Sequence, residues 1–188
     1  MQVVSINTSR IEHFVATNGE TLDSAIRKRA REGRVAVGPL GLAGDEQADP
    51  SVHGGPAKAV YAYPQEHYAF WTTVRGQAQV EGELQPGNLG ENLTVTGLLE
   101  NRAFIGDVLR FPDCELVVSE PRYPCFKLAA HLGFKHAVKM MAQSGYCGFY
   151  LAVKREGTVA AGEPFELIPG PREVGIAELF KATMRKQK

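Results

Sequence analysis

Glycine and proline break this chain into short pieces. Twenty glycines and eleven prolines are scattered through 188 residues, and the apolar runs between them are only a few residues long. Runs of that kind read as strands joined by tight connections rather than as long helices. The candidate strands are Val3 to Ile6, Ala59 to Tyr63, Leu93 to Thr96, Val108 to Phe111, Leu116 to Ser119, Tyr150 to Lys154 and Phe165 to Ile168. Gly106-Asp107 and Pro112-Asp113 flank two of them with turn chemistry. Helical patterns are fewer. Leu22 to Arg31 reads as a helix, and Pro64 to Val74 as another with proline at its first position. Phe126 to Leu132 and Lys135 to Gln143 read as a pair broken at Gly133, and Ile176 to Met184 as a final amphipathic helix. Strands and helices do not alternate regularly, so the pattern excludes a doubly wound sheet. The expectation is a mixed α/β, β-rich, barrel-like body: a bent, mostly antiparallel sheet with a few short peripheral helices.

Charge and cysteine usage narrow the partners. Lys plus Arg and Asp plus Glu both total 21, which disfavours general nucleic-acid binding and leaves room for a local basic pocket. The opening residues lack the layout of a secretion signal, and no apolar run approaches the ~20 residues of a membrane span. Cys114, Cys125 and Cys147 are odd in number, far apart and without a C-x-x-C pair, which fits reduced thiols in a cytoplasm.

Three stretches carry chemistry-bearing residues. In Ser119-Glu120-Pro121-Arg122-Tyr123-Pro124-Cys125-Phe126-Lys127-Leu128, a strand ends, two prolines fix the path, and a cysteine opens a helix. A helix N-terminus and nearby cations favour thiolate over thiol. Such a thiolate can be a nucleophile, a redox centre or a soft metal ligand; the plainer reading is a buried structural cysteine. Asp45 to Lys58 contains His53-Gly54-Gly55, where adjacent glycines can turn N–H groups toward an anion and His53 and Lys58 can add charged donors. A simple tight loop explains that stretch equally well. Pro86 to Leu93 is a glycine-rich loop entering a strand, where Asn92 could read a heterocycle edge or satisfy its own turn. Asp107 reads as a turn residue, Cys114 and Cys147 as structural, and His67 as a helix-face residue. Phe149 and Tyr150 are candidates for lining a pocket.

Taken in order, these motifs resemble a known family. Gly41-Leu42-Ala43-Gly44-Asp45-Glu46-Gln47-Ala48-Asp49 is followed by His53-Gly54-Gly55-Pro56-Ala57-Lys58-Ala59-Val60 and by Tyr63-Pro64-Gln65-Glu66-His67-Tyr68 with Trp71. Gly90-Glu91-Asn92-Leu93-Thr94, Ile105-Gly106-Asp107 and Pro121-Arg122-Tyr123-Pro124-Cys125-Phe126-Lys127-Leu128 complete the series. Each piece is weak alone, but the ordered set, spanning about Leu22 to Leu179, resembles the MOSC family (molybdenum cofactor sulfurase C-terminal domain) in its bacterial stand-alone, YiiM-like branch. The resemblance assigns residues 1–170 to the MOSC domain and 171–188 to a C-terminal helix with a basic tail.

The resemblance implies a molybdenum cofactor (molybdopterin) ligated through Cys125, and reduction of N-hydroxylated compounds, nucleobases among them, to amines. It implies that Arg122 and Lys127 neighbour the cofactor, that His53, Gly54, Gly55 and Lys58 contact pterin or phosphate, and that Asn92 lies near the pterin. No spacing in the chain points to molybdenum; the resemblance alone supplies the metal. Because no C-x₄-C-x₂-C spacing is present, an internal iron–sulfur cluster is not expected, and electrons would come from a separate reductase, a flavo- or iron–sulfur protein. Two other readings remain at this level: a sulfur carrier with a persulfide on Cys125, and a cofactor-binding protein without catalysis. Neither a nucleic-acid polymer nor a membrane is an expected partner.

Overall fold

The computed structural model describes residues 1–15, 19, 21–49 and 54–186. Its main sheet has eight strands in the order β13-β9-β10-β11-β7-β8-β1-β4. In chain order these are β1 (Gln2–Thr8), β4 (Arg29–Ala30), β7 (Val60–Pro64), β8 (Leu93–Thr96), β9 (Val108–Arg110), β10 (Glu115–Pro121), β11 (Phe149–Arg155) and β13 (Glu166–Ile168). Two small sheets flank it. One is the hairpin β2 (Glu12–Val15) with β3 (Thr21–Ser24); the other joins β5 (Arg34–Gly38) to β6 (Gly41–Leu42) and β12 (Gly157–Ala160). Only the β7–β8 pair is parallel, because helix α1 (Tyr68–Gln77) carries the chain between them; every other named pair is antiparallel. The edge strands β13 and β4 do not pair with each other among the described residues, so the sheet is bent and mostly antiparallel but open.

All seven sequence-predicted strands are present, with ends shifted by one or two residues. The broken helix is also present: α2 (Phe126–Leu132) stops at Gly133 in the left-handed conformation, and α3 (Ala137–Ser144) stops the same way at Gly145. Helix α4 (Ile176–Lys186) follows β13. The predicted helix over Leu22 to Arg31 is not found. Leu22, Ala25 and Ile26 have helical spacing, but Leu22 is paired with Phe14 across the β2–β3 hairpin, and the Ser24 hydroxyl accepts the Ile26 N–H to turn the chain. Local side-chain bonding of that kind competes with helix.

The core lies on both faces of β7, whose five residues are all buried, and centres on Trp71, Tyr63, Phe149, Leu93 and Leu116. Trp71 donates its indole N–H to the Tyr63 hydroxyl at 2.5 Å, locking α1 onto β7. Strand β10 aims the predicted thiol segment. Its inward residues are Leu116 and Val118 until a bulge between Val118 and Glu120 resets the alternation, after which Pro121 points in. The chain then leaves the sheet as Arg122-Tyr123-Pro124-Cys125 and enters α2.

Candidate functional site

Cys125 is the cap residue of α2 and is partly buried, on the wall of a cleft of about 90 Å³. The cleft gathers residues far apart in sequence. Ser24 ends β3, Ile26 and Lys28 come from the turn after it, and Asp45 to Asp49 from the loop after β6. Lys58 and Tyr61 come from β7 and the turn before it, Gly90 and Asn92 from the entry to β8, and Tyr150 from β11. Of the sequence-predicted residues, Lys58, Asn92, Arg122, Cys125 and Lys127 line this one cleft. His53 lies outside the described residues. Gly54 and Gly55 are not in the lining; the Gly55 N–H donates to Gln47 Oε1 at 3.0 Å, and Gly55 at φ 81° starts the turn that ends on Lys58.

The most telling group is Arg122. Its side chain is buried, and no carboxylate pairs with it among the described residues. Its Nη1 approaches Met141 Sδ at 3.4 Å and its guanidinium lies 5.6 Å from the centre of the Tyr61 ring. Burial works against the charge, but Tyr61, Tyr150 and Cys125 around it hold the guanidinium above its ordinary pKa. Among the described residues the groups facing this buried cation are phenols, thiols and a thioether rather than a carboxylate. The guanidinium thus stands beside Cys125 without a carboxylate to offset its charge among the described residues. Burial also raises the Tyr61 and Tyr150 phenols, with Arg122 partly offsetting it, so both are neutral hydrogen-bonding groups at physiological pH.

Other cations are partly occupied. Lys58 Nζ is 3.8 Å from Glu120 and 5.9 Å from the Tyr150 ring centre. Lys127 Nζ donates to the Asp23 carbonyl at 2.8 Å, fastening α2 to β3. Asn92 is used by the fold: its Oδ1 accepts the Tyr61 N–H at 3.0 Å, and its Nδ2 donates to Asp45 at 2.8 Å and to the Asn7 carbonyl at 3.2 Å. That amide belongs to a buried network that sequence reading missed. Lys28 Nζ sits 2.6 and 2.7 Å from the two Asp45 oxygens, with the Ser9 N–H on the same carboxylate at 2.8 Å. Desolvation lowers the Lys28 pKa, and Asp45 opposes that. Lys28 carried no signal, because in sequence it is one more basic residue in an apparent helix.

The other two thiols are placed differently. Cys114 and Cys147 are fully buried, and burial pushes Cys114 up to about 11 and Cys147 well above the ordinary thiol value. Asp107 is the turn residue expected, its carboxylate accepting the Phe104 and Gly170 N–H groups at 3.1 and 2.8 Å. Tyr150 lines the cleft; Phe149 is buried in the core. His67 ends the short helical turn Gln65–His67 that leads into α1, buried and 2.7 Å from Glu100.

Among the described residues, a mostly antiparallel open sheet carries a cleft in which the partly buried Cys125 thiol lies near the buried Arg122. Residues 49–166 match the model of the MOSC domain, and the chain belongs to that family. It is 40% identical to the uncharacterized protein YflK of Bacillus subtilis over 95% of this chain and 77% of that one. It is 36% identical to the protein YiiM of Escherichia coli over 93% and 75% of the two chains. It also shares 36% identity with a protein of Gibberella moniliformis named a reductase, over 81% of this chain and 27% of that much longer one. The crystal structure of YiiM from Geobacillus stearothermophilus superposes with a TM-score of 0.79 at 30% identity, over all of this chain and 85% of that one. The MOSC domain is associated with molybdenum cofactor binding. Among the described residues no helix is long and apolar enough to cross a membrane.

Proposed function

We propose that this cleft holds a molybdenum cofactor through the Cys125 thiolate and reduces N-hydroxylated compounds to amines with electrons from a separate reductase. The observation that carries the reading is the buried Arg122, paired with no carboxylate among the described residues, near the partly buried Cys125 thiol. The donor set fits the group. A single soft thiolate suits a metal that brings most of its own sulfur ligands, and no cluster of three or more His, Cys, Asp or Glu able to hold a bare metal occurs among the described residues. Arg122, with Lys58 and Lys127 at the wall, suits an anionic pterin phosphate. When bound, the cofactor supplies a two-electron redox centre; the overall change consumes two electrons and two protons and turns N–OH into N–H and water.

The protein's own residues prepare that site. The two prolines around Arg122 and Tyr123 and the start of α2 fix the thiol, Arg122 holds the cofactor's charge, and Tyr61 and Tyr150 wall the floor against water. The Lys28–Asp45–Asn92 network holds the opposite wall in place. The name of the Gibberella relative supports a reductive direction. The test is metal and pterin analysis of protein made in a host that synthesises the cofactor, beside Cys125→Ser. Near-stoichiometric molybdenum, lost in the variant together with turnover of an N-hydroxylated base driven by reduced methyl viologen, is expected. Folded protein without molybdenum or pterin would overturn the reading in favour of a persulfide carrier, and cofactor without turnover would leave a binding protein.

A further inference from the structure

A second concavity lies away from the thiol cleft. It is a groove of about 1010 Å³ with α3 on one side (Lys139, Gln143) and α4 on the other (Lys181, Arg185), while His67, Glu100 and Tyr146 lie at its base. Lys139, Lys181 and Arg185 are exposed and take part in no ion pair among the described residues. The acids here are occupied: Glu66 accepts from Thr96 Oγ1 and the Gly97 N–H at 3.0 and 2.7 Å, and Glu100 accepts from His67 and the Gly148 N–H, both at 2.7 Å. Three cations line the groove against Glu66 and Glu100, whose carboxylates are tied to the fold, so the lining carries a net positive charge in a chain of zero net charge. Exposed lysines alone would mean only a solvated surface, and Arg185 also complements the C-terminus of α4.

A second observation singles out this face. Five packed rings run from the thiol cleft to the groove. Tyr150, in the cleft, lies 5.3 Å from Tyr61; Tyr61 lies 6.2 Å from Tyr63; and Tyr63 lies 5.8 Å from His67. His67 stacks on Tyr146 in the groove at 3.8 Å, with the planes 9° apart. Register explains the column. Tyr61 and Tyr63 are alternate residues on one face of β7, and Tyr61 is the cross-strand partner of Tyr150. The His67–Glu100 bond and the Tyr63 hydroxyl, which donates to the Tyr146 carbonyl at 3.1 Å, hold the far end. Electron tunnelling falls steeply with distance and with gaps between atoms, so a packed column is a better route than a shell of solvent or mobile loop.

We propose that the groove between α3 and α4 docks an acidic electron-carrier protein and that the Tyr146–His67–Tyr63–Tyr61–Tyr150 column conducts its electrons to the cleft. The destination of the electrons rests on the reductase reading above. Two encounters with a one-electron iron–sulfur donor deliver two electrons; the donor clusters are oxidised, and the N-hydroxylated substrate takes the electrons with two protons to give N–H and water.

The probe is a plant-type [2Fe–2S] ferredoxin, a small acidic one-electron carrier. In titrations of ¹⁵N-labelled protein, line broadening is expected to map to α3 and α4, and added salt to abolish it. Joint Lys139→Glu, Lys181→Glu and Arg185→Glu replacement is expected to weaken binding by about tenfold or more. In the cofactor-loaded enzyme the same variant should lose about tenfold of ferredoxin-driven turnover while viologen-driven turnover stays unchanged. Tyr146→Ala should keep ferredoxin affinity but slow ferredoxin-driven turnover; an unchanged rate overturns the column. No binding, binding mapped elsewhere, or binding indifferent to the charge reversal overturns the docking face. Broadening at the groove with no turnover from ferredoxin or viologen supports the docking face and overturns the reductase reading instead.

Discussion

Asn92 shows how one residue can look like a ligand reader and serve as a strut. Both of its amide hydrogens and one carbonyl lone pair are bonded within the protein, joining β7, β1 and Asp45. Asn92→Ala removes two buried hydrogen bonds and one part-buried one and leaves the Tyr61 N–H without its acceptor, so cofactor-free protein should lose about 3 kcal/mol in urea unfolding. A loss of cofactor without loss of stability would show that the amide serves the ligand instead. Arg122 is predicted to behave in the opposite way. Arg122→Met removes a buried cation that no carboxylate among the described residues balances and places a thioether beside Met141. The stability of cofactor-free protein should stay within about 1 kcal/mol of the parent or rise, while molybdenum and pterin content fall. These two residues also mark what was legible in the sequence. Cys125, Arg122, Lys58 and Lys127 declared themselves by chemical type in a distinctive setting. Lys28 and Asp45 did not, because their meaning is a pairing across 17 residues that only the fold creates.

At the scale of elements, the position of the thiol depends on α4. Phe180 is buried and stacks on Tyr123 at 5.8 Å, two residues before Cys125, and the Tyr123 hydroxyl donates to Thr183 at 3.2 Å. Phe180→Ala opens a cavity there and should cost about 3 kcal/mol in thermal or urea unfolding. Cofactor retention should fall with it, because Tyr123 loses the surface that positions it; unchanged stability would show that α4 is merely apposed. Long buried strands and capped helices were readable in advance, since their apolar runs are bounded by glycine or proline. The strands β2 to β6 and β12 were not. Two of them are only two residues long, β4 is exposed at both positions, and β4 and β12 exist through pairing with the distant β1 and β5 rather than through local preference. The misread helix at Leu22 to Arg31 has the same origin: its apolar spacing fits two periods, and the contact of Leu22 with Phe14 decides between them.

The formal charge of the whole molecule is zero at pH 7, and on the way to acid particular buried groups add their own steps to its stability. His131, in α2, is the clearest. Burial, followed by the nearby Arg27 and Arg75, lowers its pKa from 6.5 to about 4, and its Nε2 has no hydrogen-bond partner among the described residues. The folded state thus resists a proton that the unfolded chain takes readily. A group with a depressed folded pKa contributes stability above its unfolded value, and that contribution drains away as pH falls through the folded value. For His131 the window runs from about pH 6.5 to 4, and the full shift corresponds to about 3 kcal/mol. His131→Leu keeps a similar volume and removes the titration. The difference in urea-unfolding free energy, parent minus variant, should therefore be constant above pH 7 and fall by about 3 kcal/mol on going to pH 4. Taking the difference matters because Glu91, whose pKa burial raises, acts in the opposite direction in both proteins and cancels. A difference that stays flat across the window would mean that α2 opens locally and admits the proton before the molecule unfolds.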